Sequence, residues 1–252
     1  MSKQATLERR RAERIAAQRA EAARELRGRR LKRLGAAAVA AIAAVAVAAA
    51  VSSSGGSPAA ESPATTASLF AGLPEKDGVV GDPKAPLTVT EYVDLQCPVC
   101  AQAASDALPA VVRDYVRTGK VKLAARTLHF LGPDSVRAAR VAAGAERQGK
   151  LWPFLEAFYA RQGAENSGYV TDGFLREVAG AAGVDAKAAL GQAGSSFASQ
   201  RLARANADAS RLGIDATPTL TVRREGGPER VLDASALDPA SVAAALDREL
   251  AR

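Results

Sequence analysis

Cys97 and Cys100 are the only cysteines in a chain of 252 residues, and two residues separate them in the stretch Glu91-Tyr-Val-Asp-Leu-Gln-Cys97-Pro-Val-Cys100. An apolar, β-branched run leads into the pair and the small residues Ala101 to Ala104 lead out, so the pair is expected where a strand gives way to a helix. That position suits redox chemistry. A disulfide is attacked by a thiolate, not a thiol, and the unsatisfied N–H groups and positive dipole end of a helix N-terminus favour the anion. Cys97 falls at the helix entrance and is assigned as nucleophile, with Pro98 in the first helical position, where a missing N–H costs nothing. Cys100 lies one turn further on the same side and is assigned as the resolving thiol. A structural zinc site would need two further ligands, and the chain offers one histidine, His129, and no other cysteine, so neither metal nor cofactor is expected. A purely structural disulfide closing so small a loop would remove little unfolded-state entropy.

The elements that must position the pair can be read around it. Gly81-Asp-Pro-Lys-Ala-Pro86 is turn-forming, and Leu87 to Asp94 alternates as a strand. Glu91 falls on its apolar side with Leu87, Val89 and Val93. A carboxylate in that row either escapes to water at a sheet edge or is a buried acid. In the second case desolvation raises its pKa, and it lies beneath the cysteine pair to exchange protons with the resolving thiol. A helix is expected from Cys97 to about Thr118, ended by Gly119, followed by a strand from Val121 to Leu128 that completes a β-α-β unit. His129, at its end, is left without a role.

Residues 134 to 212 read as several helices, with Asp134 or Ser135, Thr171 or Asp172, and Ser195 or Ser196 as candidate caps. Trp152, Phe154, Phe158 and Tyr159 stand at helical spacing and are expected in the core of this helical block. Pro218 precedes a strand running through Val222, a position where proline starts a strand or is held cis in a tight turn. A strand at Arg230–Asp233 and a helix from Asp238 or Ser241 to Leu250 close the domain.

Composition is that of a globular, alanine-rich chain, with 48% hydrophobic and 24% charged residues. The net charge of +7 belongs to the first 33 residues, which hold 12 Lys/Arg against 4 Asp/Glu; the remainder carries 22 basic and 23 acidic groups. Without a basic patch on the folded part, nucleic-acid binding is not expected. Leu34 to Val51 are eighteen residues without a charge, preceded by Arg29, Arg30, Lys32 and Arg33 and followed by Ser52-Ser-Ser-Gly-Gly. This order is expected of a single-pass membrane anchor with its N-terminus in the cytoplasm and the remaining chain outside, the competing reading being a cleaved signal peptide. The expected organisation is a basic cytoplasmic tail over 1–33, an anchor over 34–51, a flexible linker over 52–78 and an α/β domain over 79–252.

Taken together, Gly81-Asp-Pro-Lys-Ala-Pro before a strand, Glu91 six residues ahead of Cys97, the Cys97-Pro-Val-Cys100 pair, the helical block and Ala216-Thr217-Pro218-Thr219 resemble the DsbA-like thiol:disulfide oxidoreductases of the thioredoxin superfamily, in their membrane-tethered bacterial form. The resemblance covers about Val79 to Leu250. It implies a thioredoxin-like fold of four or five strands with a helical insertion, a cis Pro218 facing Cys97, and a Thr217 backbone that receives an extended substrate segment. It also makes Glu91 the buried acid. The implied partners are exported proteins bearing thiols or disulfides, and a membrane redox partner that recycles the pair. One departure is Pro-Val between the cysteines where the strong oxidants of the family carry Pro-His; losing the imidazole removes one stabilising partner of the thiolate.

Overall fold

The computed structural model describes residues 68–252. A six-stranded sheet forms the centre, with strands β1 (Glu75–Lys76), β2 (Val79–Val80), β3 (Leu87–Asp94), β4 (Val121–Leu128), β5 (Thr219–Arg224) and β6 (Arg230–Val231) in the spatial order β1-β2-β4-β3-β5-β6. Only β3 and β4 pair in parallel. The expected β-α-β unit is therefore present, with β3 at the middle of the sheet. Every residue of β3 is buried, because strands flank both of its edges and helices cover both of its faces. Tyr92 packs with Leu128 and with Ala205 and Ala209 on one face, while Leu87, Val89 and Val93 join the larger core on the other. Glu91 is thus not at a sheet edge.

The helix after Cys97 is shorter than its pattern suggests. It runs as α1 (Pro98–Asp106), turns at Ala107, and resumes as α2 (Leu108–Val111) followed by a wide turn over Val112–Val116. Pro109 explains the interruption, since it has no N–H to return to the preceding turn. Arg117 N–H then closes the wide turn on the Val112 carbonyl at 2.9 Å, and Gly119, at φ +71°, lets the chain reverse into β4.

The insertion between β4 and β5 holds α3 (Pro133–Glu146), α4 (Leu151–Tyr159), α5 (Asp172–Ala181), α6 (Ala186–Gln192) and α7 (Ser196–Arg211). Thr171 and Ser195 cap α5 and α7 as expected, and Asp185 caps α6. Neither Asp134 nor Ser135 caps α3: Pro133 opens the helix, Asp134 accepts the Gly168 N–H at 2.9 Å, and Ser135 donates to Asp94 at 2.6 Å. Of the aromatic residues of α4, Trp152, Phe154 and Phe158 are fully buried in the core, while Tyr159 is half-buried against it. Helix α8 (Pro239–Leu250), capped by Asp238, packs against α2 at the end of the domain.

The folded region starts earlier than the expected boundary at Val79. Asp77 (φ 53°) and Gly78 (φ 74°) form a two-residue turn that joins β1 to β2 as a hairpin on the free edge of β4. Phe70 lies 4% exposed with its ring 5.1 Å from that of Trp152, and Leu69 N–H reaches Glu156 at 2.9 Å. Residues 68–78 therefore belong to the domain and not to a linker, and their hairpin, with the short β6, takes the sheet beyond five strands. β6 ends at Val231 instead of Asp233. The expected basic tail, the expected anchor at 34–51 and the rest of the linker lie outside the described residues. Among the described residues no helix is long and apolar enough to cross a membrane.

Candidate active site

The end of β3 and the start of α1 place Cys97 at the helix N-cap, in extended backbone, with Pro98 in the first turn. Cys97 N–H bonds to the Asp94 carbonyl at 2.9 Å, and the Cys97 carbonyl accepts the N–H groups of Cys100 (3.1 Å) and Ala101 (3.3 Å). Those bonds fix the sulfur at the open end of the helix. Cys97 is 6% exposed, whereas Cys100 is wholly enclosed.

Across from the pair, the Thr217–Pro218 peptide bond is cis, and Cys97 Sγ donates to the Thr217 carbonyl at 3.4 Å. Residues 120 positions apart in the chain are thus in contact. Among the described residues Thr217 Oγ1 is buried without a hydrogen-bond partner.

The two thiols differ in acidity. A hydrogen bond from the Cys100 thiol draws the Cys97 pKa down to about 7 against the opposing effect of burial, and Thr217 and the N–H groups of Cys100 and Val99 lower it further. Cys100 goes the other way, pushed well above its ordinary value by burial first and then by the neighbouring Cys97 sulfur. One thiol ionises readily and the other holds its proton, which is the asymmetry an attacking and a resolving cysteine need.

Glu91 sits on β3 with Ala125 and Leu220 as its cross-strand neighbours, 6% exposed, and burial raises its pKa to about 7. Among the described residues no hydrogen bond or ion pair reaches its carboxyl, and it does not touch either sulfur by a hydrogen bond. It opens into a cavity on the flank of α1. Tyr159, at the end of α4, also lines that cavity and feels the charge of Cys100 and of Glu91.

Several residues around the site carry no motif. Asp94 is fully buried and holds three segments: its carboxylate accepts Gln96 N–H (2.9 Å), Leu131 N–H (3.2 Å) and the Ser135 hydroxyl (2.6 Å). Burial raises its pKa, against the lowering effect of those bonds. From the helical insertion, Gln162 Nε2 donates to the carbonyls of Leu95 (2.7 Å) and Cys97 (3.2 Å), and the Tyr159 hydroxyl donates to the Asp94 carbonyl at 3.4 Å. Gln96 is tied to Tyr169 and to Asn166 N–H. The insertion therefore clamps the cysteine loop. The only hint in sequence was a run of polar residues, Asp94 and Gln96, inside a buried segment. His129 is half-buried, with Nε2 3.4 Å from Asn206 and its pKa lowered by burial, and it takes no part in the pair's hydrogen bonding.

Residues 74–238 match the family model described as thioredoxin. The chain belongs to the thioredoxin family. Among curated relatives, disulfide bond formation protein D of Bacillus subtilis strain 168 is 32% identical over 103 residues, 40% of this chain and 46% of that protein. The chain thus spans about half the length of the relatives of that name. A Na(+)/H(+) antiporter NhaA of Herminiimonas arsenicoxydans is 34% identical over 153 residues, 59% of this chain but 22% of the antiporter, so a domain-sized piece is what the two share. Among solved structures, oxidised BdbD from Bacillus subtilis superposes with a TM-score of 0.62 at 24% identity, covering 72% of this chain and 97% of that one. A thioredoxin-like oxidoreductase from Silicibacter pomeroyi superposes with a TM-score of 0.55 at 28% identity, over 69% and 92%. The thioredoxin-like fold is shared with both.

Proposed function

We propose that this protein is a DsbA-like thiol:disulfide oxidoreductase that acts outside the cytoplasm on exported proteins, most directly as an oxidase. One observation carries the reading: Cys97 Sγ lies at a helix N-terminus, 3.4 Å from the carbonyl before a cis proline, with its partner thiol sealed behind it. A bare Cys-x-x-Cys would not supply that arrangement.

In the oxidising direction a substrate thiolate attacks Cys97 Sγ of the Cys97–Cys100 disulfide. The S–S bond breaks, a substrate–Cys97 disulfide forms, and Cys100 leaves as a thiolate. The high proton affinity of Cys100 then draws a proton, and Glu91, whose own pKa is about 7, is the acid able to supply it. A second substrate thiolate attacks the substrate sulfur and expels Cys97, a good leaving group because its pKa is about 7. Two substrate thiols are oxidised to one disulfide, and the Cys97–Cys100 disulfide is reduced to the dithiol. Thr217 and Pro218 hold the extended substrate segment beside Cys97.

The pair must then be reoxidised, and a membrane partner is the natural source, since an anchor at residues 34–51 would confine both to one surface and raise their effective concentration. The test is trapping with Cys100→Ser. Mixed disulfides between Cys97 and exported proteins support the reading; equal recovery of partners by a variant lacking both thiols would show a non-covalent binding module instead.

A further inference from the structure

Beside α1 lies a cavity of about 250 Å³. Its wall is apolar for most of its extent, formed by Phe70, Ala104, Leu108, Trp152 and Leu155. The polar exceptions have one sign of charge available. Glu91 opens into it with no partner, Glu156, which accepts the Leu69 N–H, also lines it, and among the described residues no Lys, Arg or His does. A buried carboxyl without a hydrogen bond is a group for which the protein provides no counter-charge.

From this combination we propose that the cavity is a binding site for a small lipophilic amine, its ring or alkyl body against Trp152 and Leu155 and its ammonium group on the Glu91 carboxylate. Size sets the class of ligand. An apolar protein cavity of about 150 Å³ holds benzene, so the space here takes an aromatic ring with a short aminoalkyl arm. Charge sets the rest: an anion would meet two carboxylates, and a neutral molecule would leave Glu91 as it was. Among the described residues the other ionisable groups that line the cavity with Glu91 are Tyr159 and Glu156 from α4, neither of them a cation, and Tyr159 also feels the charge of Cys97 and Cys100. Because Glu91 ionises at about 7 and an alkyl ammonium only well above that, the ion pair forms above pH 7 and is lost as Glu91 takes up its proton below it.

Trp152 is the only tryptophan in the chain and lines the cavity, so its fluorescence reads occupancy without any assay of redox activity. Phenethylamine added to the full-length protein at pH 8 is expected to change that fluorescence saturably, and to bind about tenfold or more weakly at pH 5.5. Its neutral analogue 2-phenylethanol and its anionic analogue 3-phenylpropanoate should bind weakly and without that pH dependence. Glu91→Gln should bring the amine down to the level of the alcohol, and Ala104→Leu, which fills the cavity from α1, should abolish the response while leaving the circular dichroism unchanged. The proposal is overturned by no response to millimolar amine, by equal binding of amine and alcohol, or by unaltered binding in either variant. None of these results depends on whether the cysteine pair exchanges disulfides.

Discussion

Cys97 and Cys100 have the same side chain and opposite proton affinities, and the difference comes from where three residues of helix place them. Cys97 receives a hydrogen bond from its partner and faces Thr217, while Cys100 is buried behind it. The reduced protein should therefore react with iodoacetamide at one thiol only, with a rate that rises through a midpoint near pH 7; stopped-flow alkylation with mass mapping measures it, and equal labelling of both thiols would refute the asymmetry. Glu91 gives a prediction of opposite sign. Its folded pKa of about 7 lies above the ordinary value of 4.5, so the native state holds a proton that the unfolded chain releases. Stability from this group is fully present below pH 4.5, falls as pH rises, and is gone above 7, a loss of ~3 kcal/mol for a shift of this size. Glu75 is also raised to about 7 by burial and contributes in the same window. The difference between wild type and Glu91→Gln isolates one group: denaturant titrations should show the variant gaining on the wild type as pH rises from 4.5 to 7 and no further change above. Glu91→Gln should also slow exchange while leaving the fold intact.

The elements matter because the reactive loop is held from outside its own β-α-β unit. Gln162 and Tyr159 come from the helical insertion, more than sixty residues away in sequence, and bond to the backbone of residues 94–97. Gln162→Ala should cost ~1 kcal/mol in stability for lost bonds at two carbonyls, and should reduce the alkylation rate of Cys97 as the loop loosens; an unchanged rate would show that α1 positions the sulfur alone. Within the insertion, α3 approaches α6 at Gly144, where an added Cβ would meet the Ala189 carbonyl oxygen at 2.4 Å. Gly144→Ala is accordingly expected to destabilise by ~1–3 kcal/mol through overpacking, read from the denaturation midpoint, although alanine is the better helix former.

For the molecule as a whole, the chain advertises its chemistry more plainly than its architecture. A strand ending in a Cys-Pro-Val-Cys helix entrance, and a proline opening a later strand, are local patterns, and each forms where its residues place it. Contacts between distant segments are a different matter: nothing in the spacing of Asp94, Tyr159 or Gln162 says that they meet. The misplaced start of the domain has a simpler cause. Asp77-Gly78 is a hairpin signal, but it stands at the end of a stretch rich in Ser, Gly, Pro and Ala that reads as linker, and Phe70 had no visible partner until Trp152 was placed beside it. Phe70→Ala should cost ~3 kcal/mol or more, measured by chemical denaturation, which a residue in a free linker could not do.

The account rests on the cysteine pair being a reversible two-electron centre. Equilibrating the full-length protein with glutathione redox buffers, and counting Cys97–Cys100 disulfide by mass after acid quenching, tests that most directly. A single two-electron transition between dithiol and intramolecular disulfide, with the reduced form ionising one thiol near pH 7, is the expected result. A pair that stays reduced in oxidised glutathione, or that ends as two separate glutathione adducts without closing on itself, would contradict it.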